Sequence, residues 1–392
     1  MSTPSSSRFE DCVDGRVDAT QSVVLRYRNA FRFGATDDED ARFKDWLAQT
    51  SIREGARIVP FLEYQDVLIH VLDETSLMHT RSLKSIDGCF TTARCKSLGY
   101  TRTIFETGGN TGTALTAYGT HAGIETFCFV PEDNVSLLDS RMFASPLAHL
   151  IAVDKPGRVK RAAHLFARVS DVRHIPQTSW RYEASQFRGC FILEHLLEHG
   201  SFDWLVQTIS AAFGPIGIYR VLERFRGELG TPPRLLGVQQ EANCPMYRAW
   251  RSGSSYVVPQ TVSSTTKLLS RVMYDNAPHT YGTFEDLRKV LTDYRGDLTT
   301  VNHEEFAEFL SSELDGSGVL ELLADRGIDI AAETIDKTGL IAMAATLREI
   351  RRGTIAPGSR VLCCVTSGTM NPDGRVQPDL VIRSRQPSRR AP

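Results

Sequence analysis

What this chain lacks narrows it first. Nowhere does it accumulate about 18 uninterrupted apolar residues, the length a helix needs to cross a bilayer. Its opening, MSTPSSSRFEDC, has no apolar core of the kind a secretory signal carries, so a cytoplasmic location is expected, with no membrane partner. Neither sign of charge is in excess. Lys plus Arg number 45 against 47 Asp plus Glu, a net charge of −2, which provides no field to attract nucleic acid or an anionic surface. A small molecule is the expected partner. The eight cysteines, at 12, 89, 95, 128, 190, 244, 363 and 364, include no C-x-x-C pair, which argues against a zinc ribbon or a dithiol redox site and for reduced thiols. No internal repeat is visible.

What is present is an alternation. A chain of 392 residues exceeds the usual domain of about 100 to 200, so two domains are expected. Short β-rich runs alternate with longer amphipathic runs, which calls for α/β architecture with parallel-rich sheets covered by helices. TRTIFETGG, NTGTALTAYGTHAG and IETFCFVPED read as a strand ending near Glu106, a helix closing at Gly123 and a strand stopped by Pro131. A second unit has a strand from Trp204 to Ile209, a loop of small residues and a helix whose first turn holds Pro215. A third strand, Val361 to Val365, follows a helical stretch over 332–353 and breaks into TSGT. Three polar loops thus follow strand ends, where open α/β sheets bind their ligands.

Each loop has a chemistry. In SAAFG, Ser210 to Gly214, small side chains expose backbone N–H groups ahead of a helix N-terminus, which suits a phosphate; alone it reads equally as a plain turn. In TGGNTG the glycines 108, 109 and 112 flank Asn110, whose amide both donates and accepts; the loop suits a carboxylate, or else Asn110 or Thr111 simply caps the next helix. No G-x-G-x-x-G pattern makes it a dinucleotide loop. Lys84, in SLKSIDG, offers an amine for a Schiff base and for proton transfer, although a single lysine is ordinarily a solvated charge.

Order and spacing tie these parts together. TRSLKSIDG resembles the lysine motif of the fold-type II pyridoxal phosphate enzymes, ETGGNTGTALTAYGTHAGIETFCFVPED their substrate loop and helix, and ISAAFGPIGIYRVL their phosphate loop. RLLGVQQEANCPMYRAW and GTIAPGSRVLCCVTSGT are similar to segments of the threonine synthase branch, so the likeness covers roughly 55–375. It implies two open α/β domains with the cofactor in the cleft between them. Residues 50–90 and 185–382 would form the larger, 91–184 the smaller, 1–49 an N-terminal extension with the first helices and 383–392 a disordered tail; the polar opening to about Gly34 reads as a stretch that packs late or stays mobile. The resemblance implies that Lys84 holds pyridoxal 5'-phosphate, that Asn110 bonds its 3-hydroxyl oxygen, and that Ser210, Ala211, Ala212, Phe213 and Gly214 cradle its phosphate. Ser367, or else Thr366, would face the pyridine nitrogen, and Ser82, Thr107, Gly108, Gly109 and Thr111 would contact the substrate.

Departures from the pattern matter too. The usual serine of the substrate loop is Gly108, which reads as a roomier pocket, and the Asp-Arg that commonly follows the lysine is replaced by Ser85 and Ile86. Phe213 in the phosphate loop needs space. No metal is expected: His195 and His199 form an H-x-x-E-H string, but they lie on an ordinary amphipathic helix without a third ligand and read as solvated. Cys363 and Cys364 read as structural. The expected activity is elimination or replacement on an amino acid with a β- or γ-leaving group, threonine synthase-like, in a homodimer. The alternatives are a β-replacement synthase of the cysteine or cysteate type acting on an O-activated serine, and a cofactor-fold protein that only binds.

Overall fold

Two parallel-rich sheets organise the chain. The computed structural model describes residues 3–4, 8–175, 178–259, 266–274, 283–328, 330, 337–368 and 376–383. Its larger sheet has the spatial order Asp297–Val301, Arg234–Gln240, Trp204–Thr208, Arg360–Val365, Val67–Asp73, Arg57–Tyr64. Neighbours run parallel except for the edge hairpin formed by the last two strands. The smaller sheet is parallel throughout, in the order Leu380–Ile382, Ala148–Val153, Glu125–Pro131, Arg102–Glu106, Arg173–His174.

Burial on both faces explains the unbroken apolar strands. Along Arg360–Val365, Leu362 and Cys364 enter the apolar cluster that holds Leu205 and Phe187, while Val361, Cys363 and Val365 enter the cluster built on the helix Thr338–Arg351. Successive strand residues point to opposite faces, so the adjacent cysteines serve different cores. All eight cysteines are free and buried. Burial pushes the Cys95 and Cys363 thiols up to about 12. Ellman's reagent should therefore titrate essentially no thiol in the native protein and all eight after denaturation; rapid reaction of a native thiol would contradict this packing.

The expected strand–helix–strand unit forms as Arg102–Glu106, Asn110–His121 and Glu125–Pro131. Trp204–Thr208 leads into the helix Phe213–Arg224, with Pro215 in its first turn. Of the helical stretch over 332–353, Thr338–Arg351 is helix, and 332–336 lie outside the described residues, as do 384–392 of the expected tail.

Three expectations need correction. The start of the chain is not a loosely attached extension: Phe9 meets Phe225 edge-on at 5.3 Å, and Phe31 meets Phe187 at 5.7 Å. Arg26 Nη2 and Tyr27 Oη both donate to Glu194, each at 2.6 Å, locking the segment to the helix Thr178–His199. Leu380–Ile382, assigned from sequence to the larger unit, adds instead to the edge of the smaller sheet, because its register matches Ile151–Val153. His195 is half-buried and stacked on Phe202 at 5.7 Å, and burial holds its pKa down to about 4; only His199 is exposed.

Candidate active site

The carboxyl ends of Arg102–Glu106, Trp204–Thr208 and Arg360–Val365 meet around a cavity of about 270 Å³. Lys84, the loop 107–111, the loop 210–214, Thr366 and Ser367 all line it. Backbone pairing explains how the lysine reaches the strand end. Leu83 N donates to Thr366 O at 3.0 Å, Gly368 N donates to Arg81 O at 2.9 Å, and Ser82 forms a bridge with Ser367. Lys84 then opens the helix Lys84–Ser97. Its Nζ donates to Asp87 Oδ2 at 2.6 Å, one turn further along. Ser82 is buried and does not line the cavity, so its place is in this backbone bridge rather than against a substrate.

Thr107 organises its own loop. Its Oγ1 accepts from Gly109 N and Gly112 N, both at 3.0 Å, which fixes the loop's curl and leaves the hydroxyl's proton as its donor. What the loop offers are backbone N–H groups at the start of the helix Asn110–His121. Gly109, at φ 158° and ψ −90°, takes a conformation open to glycine.

Gly108 does not widen the pocket. A Cβ there would lie 2.4 Å from Val272 O and 3.1 Å from the Tyr274 ring, because the segment Ser270–Tyr274 lies against it. That segment is held on one side by Gln240 Nε2 donating to Met273 O at 3.1 Å and Asn243 Nδ2 donating to Met273 O at 2.9 Å. On the other side Asn134 Nδ2 donates to Gly108 O at 2.8 Å. Restoring the family's serine by Gly108→Ser is therefore expected to lower stability by about 1–3 kcal/mol and to raise KM. Denaturant titration and steady-state kinetics check this, and a variant as stable as the parent would refute the clash.

Around the second loop the structure is ready for an anion. Ala212 has φ 58° and ψ 15°, turning the chain into the helix Phe213–Arg224, and Thr283 Oγ1 donates to Ala211 O behind it. The Phe213 ring finds its room away from the loop, edge-on to Tyr182 at 5.2 Å. Gly214 is obligatory for a different reason: a Cβ there would lie 2.4 Å from Arg188 Nη1 and 2.7 Å from Gln207 Nε2. Arg188 is fully buried, its Nη2 donating to Glu74 Oε2 at 2.6 Å and to Gln207 Oε1 at 3.1 Å. Its Nη1 is buried with no hydrogen-bond partner among the described residues, and so is Thr208 Oγ1, which lines the cavity. A cradle without room for a Cβ, a helix N-terminus, one unsatisfied guanidinium nitrogen beneath and an amine opposite form a donor set that fits a phosphate-bearing aldehyde.

Sequence reasoning missed several of these groups. Asp87 was within reach of it, being three residues after Lys84 and therefore on the same helical face. Lys160, Arg181 and the Val272–Tyr274 segment also line the cavity, and no local pattern marks them. Arg188 lies unmarked inside the helix Thr178–His199.

Comparison with known proteins points to the same cofactor. The family described as Pyridoxal-phosphate dependent enzyme matches residues 60–367. Cysteate synthase of Methanosarcina barkeri is 22% identical over 303 residues, covering 75% of this chain and 70% of that protein. Threonine synthase of Methanosarcina acetivorans is 23% identical over 271 residues, covering 68% of this chain and 61% of that protein. Among solved structures, a threonine deaminase from T.th. aligns with a TM-score of 0.58 at 14% identity, over 88% of this chain and 100% of that one, a likeness of fold.

Proposed function

This chain belongs to the family of pyridoxal-phosphate dependent enzymes, and from that premise we propose that it replaces or eliminates an oxygen-linked group on the side chain of an amino acid, with a phosphate ester as the favoured leaving group. The single observation behind this reading is the convergence of Lys84, the 107–111 loop, the 210–214 loop and Ser367 on one cavity that also carries Lys160 and Arg181. Two cations beyond the lysine suit a substrate with a carboxylate at one end and a second anion at the other.

The cofactor, when bound, supplies an electron sink for negative charge at the substrate α-carbon. The chain's residues do the rest. Ser210 to Gly214, the helix that follows and Arg188 beneath them would hold its phosphate, while Asn110 and Ser367, with Thr366 beside it, would face its ring. Lys84 Nζ would anchor the aldehyde and, once released, take the α-proton; Asp87, 2.6 Å away, holds the resulting ammonium. Backbone N–H groups of Asn110 and Thr111, at the start of the helix Asn110–His121, are the proposed seat of the substrate carboxylate. The Ser270–Tyr274 segment, clamped by Gln240 and Asn243, keeps water from one side of the cavity.

Replacement at the β-carbon is favoured by the relatives named cysteate synthase, and water addition at a longer side chain by the one named threonine synthase. Supplying O-phospho-L-serine and O-phospho-L-homoserine, with and without sulfite, and measuring phosphate release and the amino acid formed separates these. Release that needs sulfite and yields cysteate supports the first, release from the homoserine ester alone supports the second, and no release from any O-activated serine or homoserine defeats both. A cytoplasmic homodimer remains our reading of its state; no helix among the described residues is long and apolar enough to cross a membrane, and sedimentation equilibrium tests the dimer.

A further inference from the structure

We infer that Glu106, His164 and His174 form a binding site for one zinc-class divalent cation at the rim of the cavity. The three come from separate elements. Glu106 ends the strand Arg102–Glu106, His174 ends the neighbouring strand Arg173–His174, and His164 lies on the helix Val159–Ser170. Parallel pairing of Ile104 with His174 sets the two strand ends side by side. His174 Nε2 stands 2.5 Å from Glu106 Oε2, and the His164 ring lies 4.3 Å from the His174 ring. One ligand atom from each residue falls within 4.8 Å of the others.

Zinc bonded to nitrogen and oxygen at about 2.0–2.2 Å in tetrahedral geometry holds its ligand atoms roughly 3.4 Å apart. The 2.5 Å pair lies below that value and the 4.8 Å limit on the others above it, so the ligand atoms need shifts on the order of an ångström, within the reach of side-chain rotation. Two imidazoles and one carboxylate favour zinc, cobalt, nickel or copper over magnesium or calcium. A fourth position is left for water or for an anionic group. Because Glu106 also lines the cavity, the cation stands beside it. Lys160, one turn before His164 and at the same cavity, opposes a dication, and the single negative charge of Glu106 offsets it. His195 and His199, with ring centroids 4.6 Å apart, lack a third ligand of this kind among the described residues.

Calorimetric titration of the cofactor-loaded protein with zinc chloride in a chelator-buffered solution tests the site. One zinc per chain is expected, with Kd on the order of micromolar, weakened at least about tenfold in His164→Ala and in His174→Ala. His199→Ala should bind zinc as the parent does. Cobalt(II) should give the strong visible bands of a four-coordinate ion in the parent and lose them in His164→Ala, a residue whose exposure leaves the fold intact when it is replaced. Binding that is absent, that is no tighter than in the two variants, or that disappears in His199→Ala overturns the site. Since the readout is metal binding, the result is independent of which substrate is turned over.

Discussion

Lys84→Ala is expected to lower kcat by at least about 10³-fold, since it removes both the nucleophilic amine and a proton-transfer group worth roughly 10²–10⁴ alone. The protein should remain folded, because only the Lys84–Asp87 pair is lost and the Lys84 side chain is 26% exposed. Lys84→Arg is the informative companion. It can keep a cation opposite Asp87, yet guanidinium forms no Schiff base under these conditions and cannot surrender its proton. Both variants should be inactive, and Lys84→Arg should recover whatever stability Lys84→Ala loses. Borohydride reduction followed by peptide mapping gives the direct readout: a pyridoxyl adduct on the peptide carrying Lys84 in the parent and on none in the variants. Turnover within tenfold of the parent, or an adduct on another lysine, would remove Lys84 from the role proposed for it.

The parts of this site that could be read from sequence are those in which a few adjacent residues carry the whole signal. A glycine-rich loop between a strand and a helix declares its backbone whatever surrounds it, so the 107–111 and 210–214 loops were visible, as was the hydroxyl-bearing end of the strand Arg360–Val365. What could not be read depends on residues far apart in the chain. Gly108 looked like an opening because the carbonyl of Val272, which fills the space, lies more than 160 positions away. The part Thr107 plays in holding its own loop was hidden because its bonds to Gly109 N and Gly112 N appear only when the loop curls. The polar opening to about Gly34 looked mobile because its few apolar residues sit among polar ones and the partners of Tyr27 and Phe31, Glu194 and Phe187, lie far along the chain on Thr178–His199. The same separation hid Glu106, His164 and His174 as a group.

Arg188→Met should have the largest effect on stability of any single change near the site. Glu74 is as deeply buried as its partner, both side chains being 1% exposed, so removing the guanidinium leaves an uncompensated carboxylate in the core at a cost of about 3–5 kcal/mol. Replacing both, as Glu74→Leu with Arg188→Met, should return most of that stability, because two apolar side chains need no partner there. Urea titration of the two single variants and the double variant measures the coupling. The double variant then isolates a second role. With the fold restored, the loop 210–214 keeps its backbone N–H groups and helix N-terminus but loses the positive charge beneath Gly214. Affinity for pyridoxal phosphate should fall by about tenfold or more, whereas affinity for pyridoxal, which lacks the phosphate, should change little. Equal losses for the two ligands would mean that Arg188 only shapes the loop; an unchanged affinity for pyridoxal phosphate would mean that the backbone cradle and the helix hold the anion without it.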